Sequence, residues 1–169
     1  MKTTKYILKI TFAATLVLNC IYLAGCSHVS NEKATASIAG KVFTLEIAAD
    51  PDSRYQGLSG RAPLRDDQGM LFIYPSPRVL KFCMRDCYHP IDIMFADADG
   101  KIIQTYAMTP ELDLIRQSGI DKDWKTYSSK TEAVYALEVR EGLIAQLKIK
   151  PGDKLIFKNV PSYKRAKEE

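Results

Sequence analysis

Between Lys41 and Ala49 apolar and polar positions alternate, with Phe43, Leu45 and Ile47 set against Thr44 and Glu46. That is the two-residue period of a half-buried strand. Asp50-Pro51 supplies an N-cap and a proline for the first helical position, and Gly57 a stop, so residues 51–56 are predicted as one or two helical turns. Met70–Tyr74 and Val79–Met84 are apolar runs separated by Pro75-Ser76-Pro77. Ile91–Ala96 is another, closed by Asp97-Ala98-Asp99-Gly100, a turn whose glycine can take positive φ, and Lys101–Met108 completes a predicted hairpin. Residues 109–130 show no clean period and read as a long loop carrying the only tryptophan, Trp124. Ala133–Val139 alternates as a strand, Glu141–Leu147 suits a short helix, and Lys150-Pro151-Gly152-Asp153 turns into a last strand, Lys154–Phe157. Many short strands with turn residues between them predict a mainly β chain, a compact β-sandwich or barrel-like single domain with one or two short helices.

The first 25 residues follow a different logic. Lys2, Lys5 and Lys9 precede and border an apolar run from Ile10 to Leu18, and Leu23-Ala24-Gly25-Cys26 ends the segment. A basic start, a short apolar middle and small residues before a cysteine make a secretory signal, too short and wrongly flanked for a spanning helix. The cysteine at the cut makes it resemble a bacterial lipoprotein signal, which implies removal of residues 1–25 and lipid attachment at Cys26. Each buried methylene adds about 0.8 kcal/mol, so several acyl chains on one residue anchor it to a membrane surface. Residues 26–40 are small and polar and read as a lipidated tether, reaching roughly 20 Å when coiled. Residues 41–160 are the expected β-rich domain and residues 161–169 a charged tail.

Charge and cysteine count refine this picture. The chain carries 24 basic and 20 acidic residues, but three lysines belong to the signal, leaving 21 against 20 in the mature chain. So even a balance argues against nucleic acid as a partner. With Cys20 removed and Cys26 lipidated, only Cys83 and Cys87 remain, and two thiols in an oxidising compartment are more often bonded than free. Export to the cell envelope, facing the periplasm or the exterior, is the expected location. Ser27 in place of the aspartate associated with inner-membrane retention leans toward an outer membrane where one exists.

Three blocks stand in order: Arg-Tyr-Gln-Gly-Leu-Ser-Gly-Arg at 54–61, Gly-Met-Leu-Phe at 69–72, and Phe-Cys-Met-Arg-Asp-Cys-Tyr-His-Pro-Ile-Asp-Ile-Met-Phe at 82–95. With the turn ending at Gly100, the strand Tyr135-Ala136-Leu137-Glu138-Val139 and Pro151-Gly152-Asp153, this set resembles the family called domain of unknown function 192, over about Val42 to Phe157. The resemblance implies a compact β-rich fold, often exported, and brings no reaction with it. Ser59 stands where the family pattern has methionine, Cys83 where it has tryptophan, and Asp86 where it has asparagine.

On their own chemistry, Arg54 and Arg61 flank Gly57 and Gly60 and either present two guanidinium forks to an anion or staple the loop to an acid such as Asp86 or Asp92. Cys83 and Cys87 form a disulfide if the chain bends at Arg85-Asp86, since a straight strand would hold them about 13 Å apart. Otherwise each is buried separately, or the pair joins His89 in binding Cu(I) or in thiol exchange. Asp92 enters an apolar strand, where a carboxylate needs a partner or a pocket. Trp124 and Tyr127 either stack on a ligand or cap the core. No nucleophile elbow or cofactor motif is present in the sequence, and no cofactor is expected. The expectation is a lipid-anchored, non-catalytic binding or accessory module for a small polar or anionic ligand or an envelope partner protein, with a cleft lined by Arg54, Arg61, Arg85, Asp86 and Asp92. The alternative is an envelope thiol-redox or copper-handling protein using Cys83, Cys87 and His89.

Overall fold

The computed structural model describes residues 33–116 and 123–162. The expected signal, Cys26, residues 27–32 of the expected tether and residues 163–169 of the tail lie outside them. Seven strands form one sheet: β1 (Thr35–Ile38), β2 (Lys41–Ala48), β3 (Gln68–Phe82), β4 (Ile91–Ala96), β5 (Ile102–Met108), β6 (Tyr127–Arg140) and β7 (Ile156–Lys158). Their spatial order is β5-β4-β6-β3-β2-β1-β7. Among the described residues three short helices accompany them: α1 (Pro51–Gln56), α2 (Leu112–Arg116) and α3 (Leu143–Gln146).

The sheet curls, and its two outer strands meet at one end. Lys101, just before β5, bridges Lys154, just before β7, and Leu155 N–H donates to the Gly100 carbonyl at 2.8 Å. Closure of this kind satisfies backbone groups that an open edge would expose. Leu71, Ile73, Met94, Leu137 and Val139 face the inside of the curl, where they pack with Phe43, Leu45 and Leu155. Met70, Phe72, Ile93, Phe95 and Ala136 face outward from the same central strands, into a second core with Leu58, Leu80, Met84 and Cys87. Strands β4 and β6 are thus covered on both faces, which is why Ile91–Ala96 reads as an unbroken apolar run rather than an alternation.

One pairing differs in kind. β2 and β3 run parallel, Thr44 opposite Gln68 through Ala48 opposite Phe72, while the other pairs are antiparallel. Parallel neighbours need a crossover, and here residues 49–67 supply it. α1 opens this connection as the sequence indicates: the Asp50 side chain accepts from Ser53 N–H at 2.8 Å, Pro51 sits at the helix start, and Gly57 ends it at φ +48°.

Three local expectations change. Thr35–Ile38, read as tether, form β1, held between β2 and β7 with Ala36 and Ile38 buried. The two apolar runs around Pro75-Ser76-Pro77 are one strand, β3, whose register with β6 shifts between Ile73 and Arg78. Prolines lack the N–H that a ladder needs, and the irregularity absorbs them. Beyond it the β3–β6 ribbon folds over the outer face, bringing Phe82 edge-on to Phe72 at 4.8 Å and to Phe95 at 5.5 Å. The segment read as a long loop contains α2 and the start of β6, so Tyr127 is a buried strand residue whose hydroxyl accepts from Thr109 N–H at 3.3 Å.

Gly100 is the point at which the curl closes most tightly. It sits at φ +80°, and a β-carbon there would lie 2.6 Å from the Leu155 carbonyl oxygen. Gly100→Ala is expected to destabilise the domain by about 2 kcal/mol, a loss of roughly 5–10 °C in Tm by thermal unfolding. An unchanged Tm would show that this end of the sheet is not a close contact.

Candidate functional site

The crossover carries the arginine-glycine block over the outer face, where it meets the turn formed by residues 83–87. The Ser59 hydroxyl donates to the Arg85 carbonyl at 2.8 Å, and Gly60 N–H to the Asp86 carbonyl at 2.8 Å. Arg85 returns the contact: its guanidinium donates to the Tyr55 carbonyl and lies 3.7 Å from the centre of the Tyr55 ring. Asp86 adopts φ +52°, the left-handed conformation that lets the chain reverse there, and Cys87 N–H closes the turn on the Met84 carbonyl at 3.2 Å. Arg54 anchors the other end. It donates to the Ala49 and Ile73 carbonyls, the latter at 3.0 Å, with its guanidinium 4.9 Å from the Tyr74 ring centre.

Between crossover, turn and sheet lies a cavity of about 220 Å³. Phe72, Tyr74 and Phe82 give it aromatic walls; Arg54, Lys81 and Arg85 bring cations, and Glu138 lines it from the sheet. Glu138 is opposite Met70 on one side and Ile93 on the other, and only 5% of its surface is exposed. Its Oε2 has no hydrogen-bond partner. Burial pushes its carboxyl up from the ordinary 4.5 to about 8, so the group is mostly protonated at neutral pH. The same burial, followed by the Glu138 charge, pushes the Cys87 thiol up to about 12. Cys87 is therefore a small apolar wall residue and not a ready thiolate.

Charge balance singles this cavity out. Arg61, Arg65 and Arg140 each meet a carboxylate, Arg61 in a two-pronged pair with Glu46 at 2.6 and 2.7 Å. Among the described residues, Arg54, Lys81 and Arg85 form no ion pair with an acid. Three cations around a neutral acid leave the cavity with a positive excess.

The five candidate residues divide accordingly. Arg54 and Arg85 line the cavity, and Asp86 acts through its backbone in the turn. Arg61 staples the crossover to β2 through Glu46 and faces a separate hollow of about 380 Å³, with His89, Pro63 and Arg140. That hollow is larger, but its guanidiniums are neutralised by Glu46 and Asp66. Asp92 is on the opposite face of β4 from Ile91 and Ile93, with Met94, and its Oδ2 accepts from Ile144 N–H at 2.8 Å near the start of α3. A single cleft holding all five is not what the fold builds, because strand alternation turns Asp92 away.

The bridge expected between Cys83 and Cys87 is not formed: both are free, Cys83 exposed and Cys87 buried. Cys83 lines the cationic cavity while His89 lines the larger hollow, and among the described residues no three His, Cys, Asp or Glu side chains gather as a metal would require. Sequence reasoning missed Glu138, Lys81 and Tyr74 as site residues. The signal for Glu138 was there: a lone acid inside Ala133–Val139, the most apolar stretch of β6.

The family model DUF192, described as an uncharacterised ACR, matches residues 33–157. A crystal structure from Sinorhizobium meliloti 1021, described as a candidate transcription regulator, is 28% identical with a TM-score of 0.61, covering 73% of this chain and 91% of its own. Another, a protein of unknown function from Novosphingobium aromaticivorans DSM 12444, is 29% identical with a TM-score of 0.59, covering 73% and 82%. Comparison with curated proteins gave no significant match.

The raised Glu138 carboxyl has a defined effect on stability. A carboxyl higher in the folded than in the unfolded chain costs nothing below the unfolded value and progressively more as pH rises toward the folded one. Relative to Glu138→Gln, the native chain should lose roughly 4 kcal/mol between about pH 4.5 and 8, then level off. Urea unfolding of both chains at pH 5, 7 and 9 checks this, and parallel pH profiles would remove the buried acid from the site.

Proposed function

The chain belongs to the DUF192 family, and from that premise we propose that it is a non-catalytic binding module for a small anionic ligand, held at the cell envelope by lipid on Cys26. The observation that carries the binding reading is the cavity in which Arg54, Lys81 and Arg85 surround a buried, protonated Glu138 with no acid to balance them. A cationic pocket with low-dielectric aromatic walls raises the local concentration of anions and strengthens each contact made inside. The envelope assignment rests on the Leu23-Ala24-Gly25-Cys26 pattern behind a basic, apolar leader. Nucleic acid remains the less favoured partner, despite the description of the Sinorhizobium relative, because the mature chain is nearly charge-neutral. The thiol-redox or copper alternative draws on Cys83, Cys87 and His89. It has the weaker support, since Cys87 is held as a thiol and His89 faces another hollow.

Two measurements test the two halves. Inorganic phosphate titrated against the full chain in detergent should raise Tm, and a Lys81→Ala, Arg85→Ala double variant should lose most of that rise while Arg61→Ala keeps it. Equal responses in all three chains would move the site elsewhere. Cys26→Ser should abolish incorporation of labelled palmitate and release the protein from the membrane fraction; continued labelling would end the anchor assignment.

A further inference from the structure

Glu138 asks for a more specific ligand than any small anion. Its carboxyl sits on a doubly covered strand, 5% exposed, with Oε2 unpartnered and the side chain lining a cavity. An unsatisfied buried polar atom destabilises the folded chain, and that cost disappears when a ligand supplies the missing partner. The partner must suit the surroundings. Phe72 and Phe82 stand edge to face beside the acid, so a multiply charged, fully hydrated anion would lose its water against rings that give nothing back. A singly charged carboxylate with an apolar body keeps its charge near Lys81 and Arg85 and sets its carbon skeleton against the rings. The volume, about 220 Å³, is below that of pockets built for drug-sized molecules and suits a body of one ring or a short branched chain.

We propose that the cavity binds a small monocarboxylate with an apolar or aromatic body, with Glu138 as hydrogen-bond donor to the ligand's carboxylate and Lys81 and Arg85 as its counter-charges. This rests on the anion-binding reading above and narrows it. The donor role distinguishes Glu138 from a carboxylate waiting for a cation: an amine would want the acid ionised and the neighbouring cations absent.

The probes are benzoate, its neutral isostere benzamide, benzylamine and inorganic phosphate, titrated by calorimetry against the full chain in detergent. Benzoate should bind at least about tenfold more tightly than each of the other three. Glu138→Gln retains a side-chain N–H donor and should keep benzoate within about threefold, whereas Glu138→Leu removes the donor and should lose about tenfold or more, with both variants folded by circular dichroism. Benzamide or benzylamine binding as well as benzoate overturns the proposal, as does full affinity in Glu138→Leu. Phosphate binding that depends on Lys81 and Arg85, with no preference for benzoate, overturns the monocarboxylate assignment and leaves the anion-binding module standing. No binding of either anion overturns both.

Discussion

The parallel pairing of β2 with β3 is the constraint on which the rest of the site depends. A hairpin cannot join parallel neighbours, so the chain has to leave the end of β2 and travel back before entering β3. Residues 49–67 make that journey on the outer face, and the face becomes a second core with Leu58 pressed onto it. Had the two strands run antiparallel, the arginine-glycine block would be a tight turn at the sheet edge, and Phe72, Phe95 and Ala136 would need another cover. The Arg54 guanidinium marks the same constraint, tying the Ala49 carbonyl at the end of β2 to the Ile73 carbonyl in β3. A guanidinium suits this use because its rigid fork can serve two carbonyls from one nitrogen.

A second cover comes from the bent β3–β6 ribbon. Its register shift lets Phe82 fold back onto Phe72 and Phe95, and Ser129 repairs the ladder there by accepting from Leu80 N–H at 2.9 Å while donating to the Thr131 carbonyl at 2.6 Å. Crossover and β3 touch where Arg54 lies against Tyr74, and again where Ser59 and Gly60 meet the turn after the ribbon, but leave space between those contacts. The gap between them is the cavity, and Glu138 is the strand residue beneath it. An ionisable group in such a place trades stability for a specific contact, which is where departures from ordinary core composition are expected.

Local patterns carried much of this fold. The alternation in β2, the Asp50-Pro51 start and Gly57 stop of α1, and the Asp97–Gly100 turn are each set by neighbouring residues, and each formed as read. What escaped depends on partners distant in sequence. Thr35–Ile38 has the composition of a tether and becomes a strand because it is paired on both sides, by β2 across the Ala39-Gly40 turn and by β7, some 120 residues on. The meeting of the arginine block with the 83–87 turn was visible as an ordered set of motifs, but which cations found acids was not: Arg61 is satisfied by Glu46 across the β2–β3 connection. Asp92 was expected in one cleft with Arg54, Arg61, Arg85 and Asp86, although its own strand period places it with Met94 on the inner face. Glu138 was passed over because a glutamate in an alternating strand is ordinarily on the wet side, and β6 has none along that stretch.

The meeting of Lys101 with Lys154 also bears on how copies of this chain behave toward one another. Growth of one sheet onto another needs a long, flat row of unpaired backbone donors and acceptors. Here the outermost strand on one side, β7, is three residues long, and that on the other, β5, is partly occupied at its start by Gly152 and Asp153. Lys154 and Lys158 add like charges on that rim. Neither rim therefore offers the long, unpaired edge that strand-to-strand growth requires.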